Sequence, residues 1–266
     1  MQTETSDAGT LGRIATIARN TFREAIRDRI LYNLVAFALL ITVAAVILGD
    51  LTDGHQARTT VNLGLFAILI FGVFISIFVG VSLVSKEIEK RTLFSIFSKP
   101  VSRTEFVIGK YLGLCFTVGV NVLIMGSGVT VALAFVGGLG LLAPAWSAIY
   151  LIFLELTIII AIATLFSTFS SPSLSALLTF LIFIIGHLSS SLRELATGFA
   201  SGIATIVFET LYFLLPNLGL FTFRTEAANG LMPNSAMLLG GTLYAVVYAI
   251  IVLAVAVLIF SRRDFK

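Results

Sequence analysis

The sequence predicts an all-α polytopic membrane protein with six transmembrane helices, and two observations carry that prediction. The 266 residues are 58% hydrophobic and only 12% charged, against roughly 25% charged in a soluble domain, so a water-soluble fold is excluded. Six apolar stretches, 32–49, 61–84, 111–137, 147–169, 174–190 and 235–260, each come close to the roughly 20 residues a spanning helix needs. Runs such as Phe66-Ala-Ile-Leu-Ile-Phe lack the two-residue alternation of a transmembrane barrel strand. Backbone groups in hydrocarbon must be satisfied within their own segment, so these stretches are helices.

The N-terminal residues 1–10 are polar and acidic and do not resemble a cleaved signal, so the first span is expected to stay in the mature chain. Residues 10–30 follow a helical pattern without spanning. Leu11, Ile14, Ala15, Ala18, Phe22, Ala25 and Ile26 fall on one face and Arg13, Asn20, Arg23, Glu24 and Arg27 on the other. A basic amphipathic helix of this kind lies along the inner membrane surface, where it anchors to anionic lipid or touches a cytosolic partner.

Lys and Arg placement orients the bundle. With six spans and both termini cytoplasmic, Arg13, Arg19, Arg23, Arg27, Arg29, Lys86, Lys90, Arg91, Lys99, Arg103, Lys110, Arg262, Arg263 and Lys266 lie inside and Arg58, Arg193 and Arg224 outside, a 14 to 3 split. The stretch 198–215 is also apolar, broken by Glu209 and ending at Pro216-Asn217. As a seventh crossing it would send the terminal Arg262-Arg-Asp-Phe265 outward against the charge rule. Residues 191–233 are therefore expected to be an external segment whose short helices dip into the outer leaflet.

Between spans two and three, residues 85–110 form the longest charged connection. A helix dense in both signs of charge is expected to end at Lys99-Pro100, since proline disfavours helix at the residue before it. Ser102-Arg-Thr-Glu105 then reads as a capping box that starts the next helix. Gly72, Ser76 and Gly80, and later Gly109 and Gly113, stand at four-residue spacing and permit close helix approach, with internal packing favoured over a dimer seam. The Ser170-Ser-Pro-Ser173 link is tight and sets proline at the first position of span five, and Asn234 can cap span six.

Catalytic constellations are scarce. The only histidines, His55 and His187, lack flanking ligand patterns, and no phosphate-binding glycine loop occurs. No catalytic residue, metal site or cofactor is expected, and no nucleic-acid partner. Cys115 is the one cysteine and has no partner in the chain. Two polar residues lie within spans. Glu155 sits about 12 Å into span four, as either a pathway residue or a protonated packing residue. Asn121 in span three is either interhelical glue or a second pathway contact.

The run Lys86-Glu-Ile-Glu-Lys-Arg-Thr-Leu-Phe-Ser-Ile-Phe-Ser-Lys-Pro-Val-Ser-Arg-Thr-Glu-Phe-Val-Ile-Gly-Lys-Tyr-Leu-Gly113 resembles the loop between spans two and three of ABC-2 type transporter permeases. It is most similar to the branch labelled permease component for multicopper-enzyme maturation. Leu211-Tyr-Phe-Leu-Leu-Pro-Asn217 and the terminal Arg262-Arg-Asp-Phe265 also look like that branch. The resemblance implies a permease half with an interfacial helix, a coupling helix between spans two and three and re-entrant helices before span six. It implies no enzymatic activity in the chain itself, a separate cytosolic ABC ATPase subunit and a second permease copy, as a homodimer. Carried onto this sequence, Glu87, Glu89, Arg91 and Thr92 lie in the coupling element, with Lys99 and Pro100 at its turn. The implied site is the bacterial or archaeal cytoplasmic (inner) membrane. The alternative is a stand-alone ion- or proton-coupled secondary transporter, although no internal repeat of the kind such folds show is evident.

Overall fold

The computed structural model of the protein describes residues 9–50, 55–89, 102–188, 210 and 215–262, with backbone alone at 30, 50 and 82–89. Every regular element among the described residues is helical, and the protein is an all-α polytopic membrane protein. In chain order the helices are α1 (Thr10–Ile26), α2 (Arg29–Asp50), α3 (Gln56–Glu89), α4 (Arg103–Phe135), α5 (Leu142–Ser167), α6 (Pro172–His187), α7 (Arg224–Ala228) and α8 (Ser235–Arg262). Short 3-10 turns at Leu139–Leu141 and Leu218–Phe221 lead into α5 and α7.

Five described stretches are long and apolar enough to cross a bilayer: Leu31–Gly49, Gln56–Val81, Arg103–Phe135, Leu139–Ser167 and Ser235–Arg262. Helix α5 is the core of the bundle. It is apolar all round, the pattern of a buried helix, and Leu151, Leu156, Ile158, Ile159, Ile160, Ala161 and Ala163 are inaccessible. Helix α3 packs along it, with a methyl at Gly72 or Gly80 set to strike Leu156 or Ala163, so the small-residue stripe of α3 serves internal packing. Helices α2 and α8 are peripheral and turn Phe37, Leu40, Ile47, Leu239, Leu243 and Ile250 outward.

Local signals set several helix ends. Ser102 Oγ accepts from the Glu105 N–H at 3.1 Å while the Glu105 carboxylate accepts from the Ser102 N–H at 2.8 Å, the expected capping box. Asn234 Oδ1 accepts from the Met237 N–H at 2.7 Å and caps α8. Pro172 occupies the start of α6.

Helix α6 is shorter than the expected 174–190 span. Its 16 residues cover about 24 Å, less than the roughly 30 Å of hydrocarbon. Beside its final turn lie Pro216 and Leu218, so the end of the helix packs against protein. Non-helical backbone is tolerated at membrane depth where protein buries it. Leu218, Phe221, Ala227 and Ala228 are all buried, and the 216–228 stretch packs on α3, α5 and α6. Most of the 198–215 stretch lies outside the described residues.

Candidate functional site

Two features stand out: a polar junction where three helix ends meet, and a polar pair inside the bundle.

The junction begins with α1. Its apolar stripe does not face lipid alone but seats on the first turns of α4. The seat exists because Gly109 and Gly113 have no side chains. A methyl at Gly113 would lie 2.5 Å from the Ala18 carbonyl oxygen, and one at Gly109 would lie 2.7 Å from Ile17 Cβ. Phe22 meets Phe116 edge-on at 4.6 Å between ring centres. Arg13 of α1 donates from Nε and Nη2 to Glu105 Oε1 at 3.1 and 2.8 Å. Lys110 Nζ, almost fully buried, is 3.9 Å from Glu24 Oε2.

The C-terminal turn of α8 joins the same place. Arg103 Nη1 donates to the Phe260 and Ser261 carbonyl oxygens at 2.7 and 2.9 Å, and the Phe106 and Phe260 rings stack at 6.0 Å. Orphan carbonyls at a helix end are thereby satisfied by a cation, the favourable sign for that end of the helix dipole. Glu105 stands in the first turn of α4, ahead of the apolar run that starts at Tyr111. The Arg13 guanidinium, and after it the Ser102 N–H, hold its carboxyl down at about 2.

The polar centre is built by α5 and α6. Glu155 is 1% exposed, and its Oε1 lies 3.5 Å from His187 Nε2 at the end of α6. His187 Nδ1 is 3.3 Å from the Phe183 carbonyl oxygen, and its ring packs edge-on against Phe183 at 4.8 Å. Arg224, opening α7, lies over the Phe66 ring at 5.4 Å. Sequence reading singled out Glu155 but not its pairing with His187. The signal was present: Glu155 lies 15 residues before Ser170 and His187 lies 14 after Ser173. A helical hairpin turning at Ser170–Ser173 therefore sets them at matching depth. Asn121 does not belong to this centre. Its Nδ2 donates 2.7 Å to the Thr117 carbonyl oxygen on its own helix. Among the described residues no cluster of three or more His, Cys, Asp or Glu could hold a metal ion.

Residues 15–265 match the family model described as ABC-2 family transporter protein. The chain belongs to the ABC-2 transporter family. No curated protein matches it. Membership makes the protein a multi-pass membrane permease of an ABC transporter, and its role is transport rather than catalysis by the chain itself. In this ABC-2 family protein the residues implicated in coupling are only partly in view. Glu87 and Glu89 fall in the last turn of α3, where the backbone alone is described, and Arg91, Thr92, Lys99 and Pro100 lie outside the described residues.

Proposed function

We propose that the protein is the permease subunit of an ATP-binding cassette exporter, moving substrate across the bacterial or archaeal cytoplasmic membrane with ATP hydrolysed on separate cytosolic subunits. Two copies of the chain pair, and each engages one ATPase through the 86–110 segment. Family membership supports the class of machine. The observation that carries the coupling reading is the length of the two helices flanking that segment. With 34 and 33 residues, α3 and α4 measure about 51 and 50 Å and overrun a hydrocarbon core of about 30 Å. A push on the protruding end is thus transmitted as rigid-body motion of two spans.

The bulk of the Lys and Arg residues accompany this end, which supports cytoplasmic termini. Outward apolar faces on α2 and α8 leave room for a second copy and for lipid. Mixed charges at Glu87, Glu89 and Arg91, with Thr92 and the Lys99-Pro100 turn, suit charge-assisted hydrogen bonds to an ATPase.

Reversing Glu89 and Arg91 together tests the reading. A co-expressed ATPase subunit should no longer co-purify, while membrane insertion is unchanged. Undiminished ATPase recovery refutes the docking assignment. The pairing of buried Glu155 with half-buried His187 is the one observation favouring stand-alone proton-coupled transport, and gradient-driven uptake by the chain alone in liposomes would establish that reading instead.

A further inference from the structure

Helix α1 presents three faces, and its contacts account for one of them. Ile17, Ala18 and Thr21 fill the seat left by Gly109 and Gly113, and Ala25 on the same stripe is buried. Leu11, Ala15, Phe22 and Ile26 fall on the flank beside that stripe. Leu11 is 82% exposed, and Phe22 carries the flank onto the ring of Phe116, itself 60% exposed. This flank therefore continues the outward apolar surface of α4. Next round the helix stand Arg19, Arg23 and Arg27, four residues apart and so in one row, and all three are exposed. Among the described residues no carboxylate pairs with any of them: Arg13 holds Glu105, and Glu24 reaches Lys110.

The height of the row follows from the register of the two helices. Arg13 meets Glu105, Ile17 meets Gly109, Thr21 meets Gly113 and Phe22 meets Phe116. Each turn of α1 thus meets the next turn of α4, and α1 climbs beside α4 toward the bilayer. Arg23 and Arg27 lie beyond Phe22 in that climb. The apolar stretch of α2 opens soon after, at Leu31, and the exposed Tyr32 is of the type that settles at headgroup level. The row is therefore held at the edge of the hydrocarbon, where long cationic side chains extend toward the interface.

We propose that Arg19, Arg23 and Arg27 form a binding face for anionic phospholipid, whose headgroup phosphates secure α1, and through it the junction with α4 and α8, at the membrane boundary. A guanidinium matches phosphate oxygens with paired donors. An acidic protein surface would satisfy the arginine row but leave the apolar flank of Leu11 and Phe22 bare. A phospholipid covers both, with its phosphate on the row and its acyl chain along Phe22 and Phe116. The face needs neither nucleotide nor ATPase, so its failure and that of the coupling assignment are separable.

The test presents the purified full chain with equal amounts of phosphatidylglycerol and phosphatidylcholine of identical acyl chains, and native mass spectrometry counts the lipids retained. An arginine near an anionic surface is worth about fivefold in binding. The parent should therefore favour phosphatidylglycerol more than about tenfold, and the triple variant Arg19→Gln, Arg23→Gln, Arg27→Gln less than about twofold. The three single variants should fall between, and Arg58→Gln, one charge removed at the start of α3, should match the parent. In phosphatidylcholine vesicles, added phosphatidylglycerol should slow hydrogen exchange in α1, and about 1 M salt should cancel the effect. Equal retention of the two lipids by the parent overturns the proposal, as does exchange in α1 that ignores phosphatidylglycerol. A preference that survives the triple variant overturns it too, and loss of ATPase recovery in that variant would then assign the row to a protein. Should the triple variant fail to insert, Arg23→Gln decides alone: an unchanged preference in it is fatal.

Discussion

Arg13 on α1 and Glu105 on α4, 92 residues apart in sequence, are joined by two hydrogen bonds to one carboxylate oxygen, at 3.1 and 2.8 Å. The other oxygen takes the Ser102 N–H at 2.8 Å. One carboxylate thus caps its own helix and holds a second helix in place, and several expectations follow from that double role.

The first concerns acid. Glu105 has its carboxyl lowered from 4.5 to about 2 by the Arg13 hydrogen bond, then by the Ser102 N–H. A depressed carboxyl stabilises the folded arrangement above its unfolded value, and that contribution is lost as the pH falls from near 4.5 toward 2. Hydrogen exchange in α1 should therefore accelerate across this window, and Glu105→Gln should abolish that dependence.

Gly113→Ala tests the seat itself. The added methyl meets backbone, the Ala18 carbonyl oxygen, which cannot swing aside as a flexible side chain would. Overpacking of this kind costs about 1–3 kcal/mol, seen as a lowered melting temperature in detergent. Gly240→Ala on the open face of α8, with nothing within 4 Å, should stay within about 0.5 kcal/mol of the parent.

Ser102→Ala removes the acceptor for the Glu105 N–H. Loss of a serine N-cap costs about 0.5–2 kcal/mol. Exchange of the first-turn amides of α4 should quicken while the interior of the helix keeps its protection.

Arg103→Ala should loosen the opposite partner at the junction. Its guanidinium serves the Phe260 and Ser261 carbonyl oxygens at 2.7 and 2.9 Å, and hydrogen bonds to a charged group contribute about 1.5–3 kcal/mol. Faster exchange in the last turn of α8, with α1 unaffected, is the expected result. Matched acceleration in α1 would mean that the three ends behave as one unit.

Much of the fold was legible before any coordinates. The long spans could be read because hydrocarbon demands about 20 apolar residues and a backbone satisfied within the helix, and both demands are written in composition. The Ser102–Glu105 box, the Asn234 cap and Pro172 at the start of α6 were legible because each is a contact among neighbours in sequence. The coupling residues Arg91, Thr92, Lys99 and Pro100 lie outside the described residues, so that part of the site stands as a proposal.

Lateral arrangement was another matter. The helical wheel of α1 exposed an apolar stripe but could not say that Gly109 and Gly113 would receive it. Glu155 was visible as a deep acid, yet His187 showed only as a histidine without a flanking ligand pattern. In lipid, one apolar face resembles another, so the choice of partner rests on close packing and on a few polar groups that must meet.

Residue order alone established a helical membrane protein and how several of its helices begin, since these follow from solvent and neighbouring residues. Which helix sits at the centre, where α1 docks and how Glu155 meets His187 were settled by the folded bundle. Those outcomes depend on shape matching between distant segments, which no local stretch encodes.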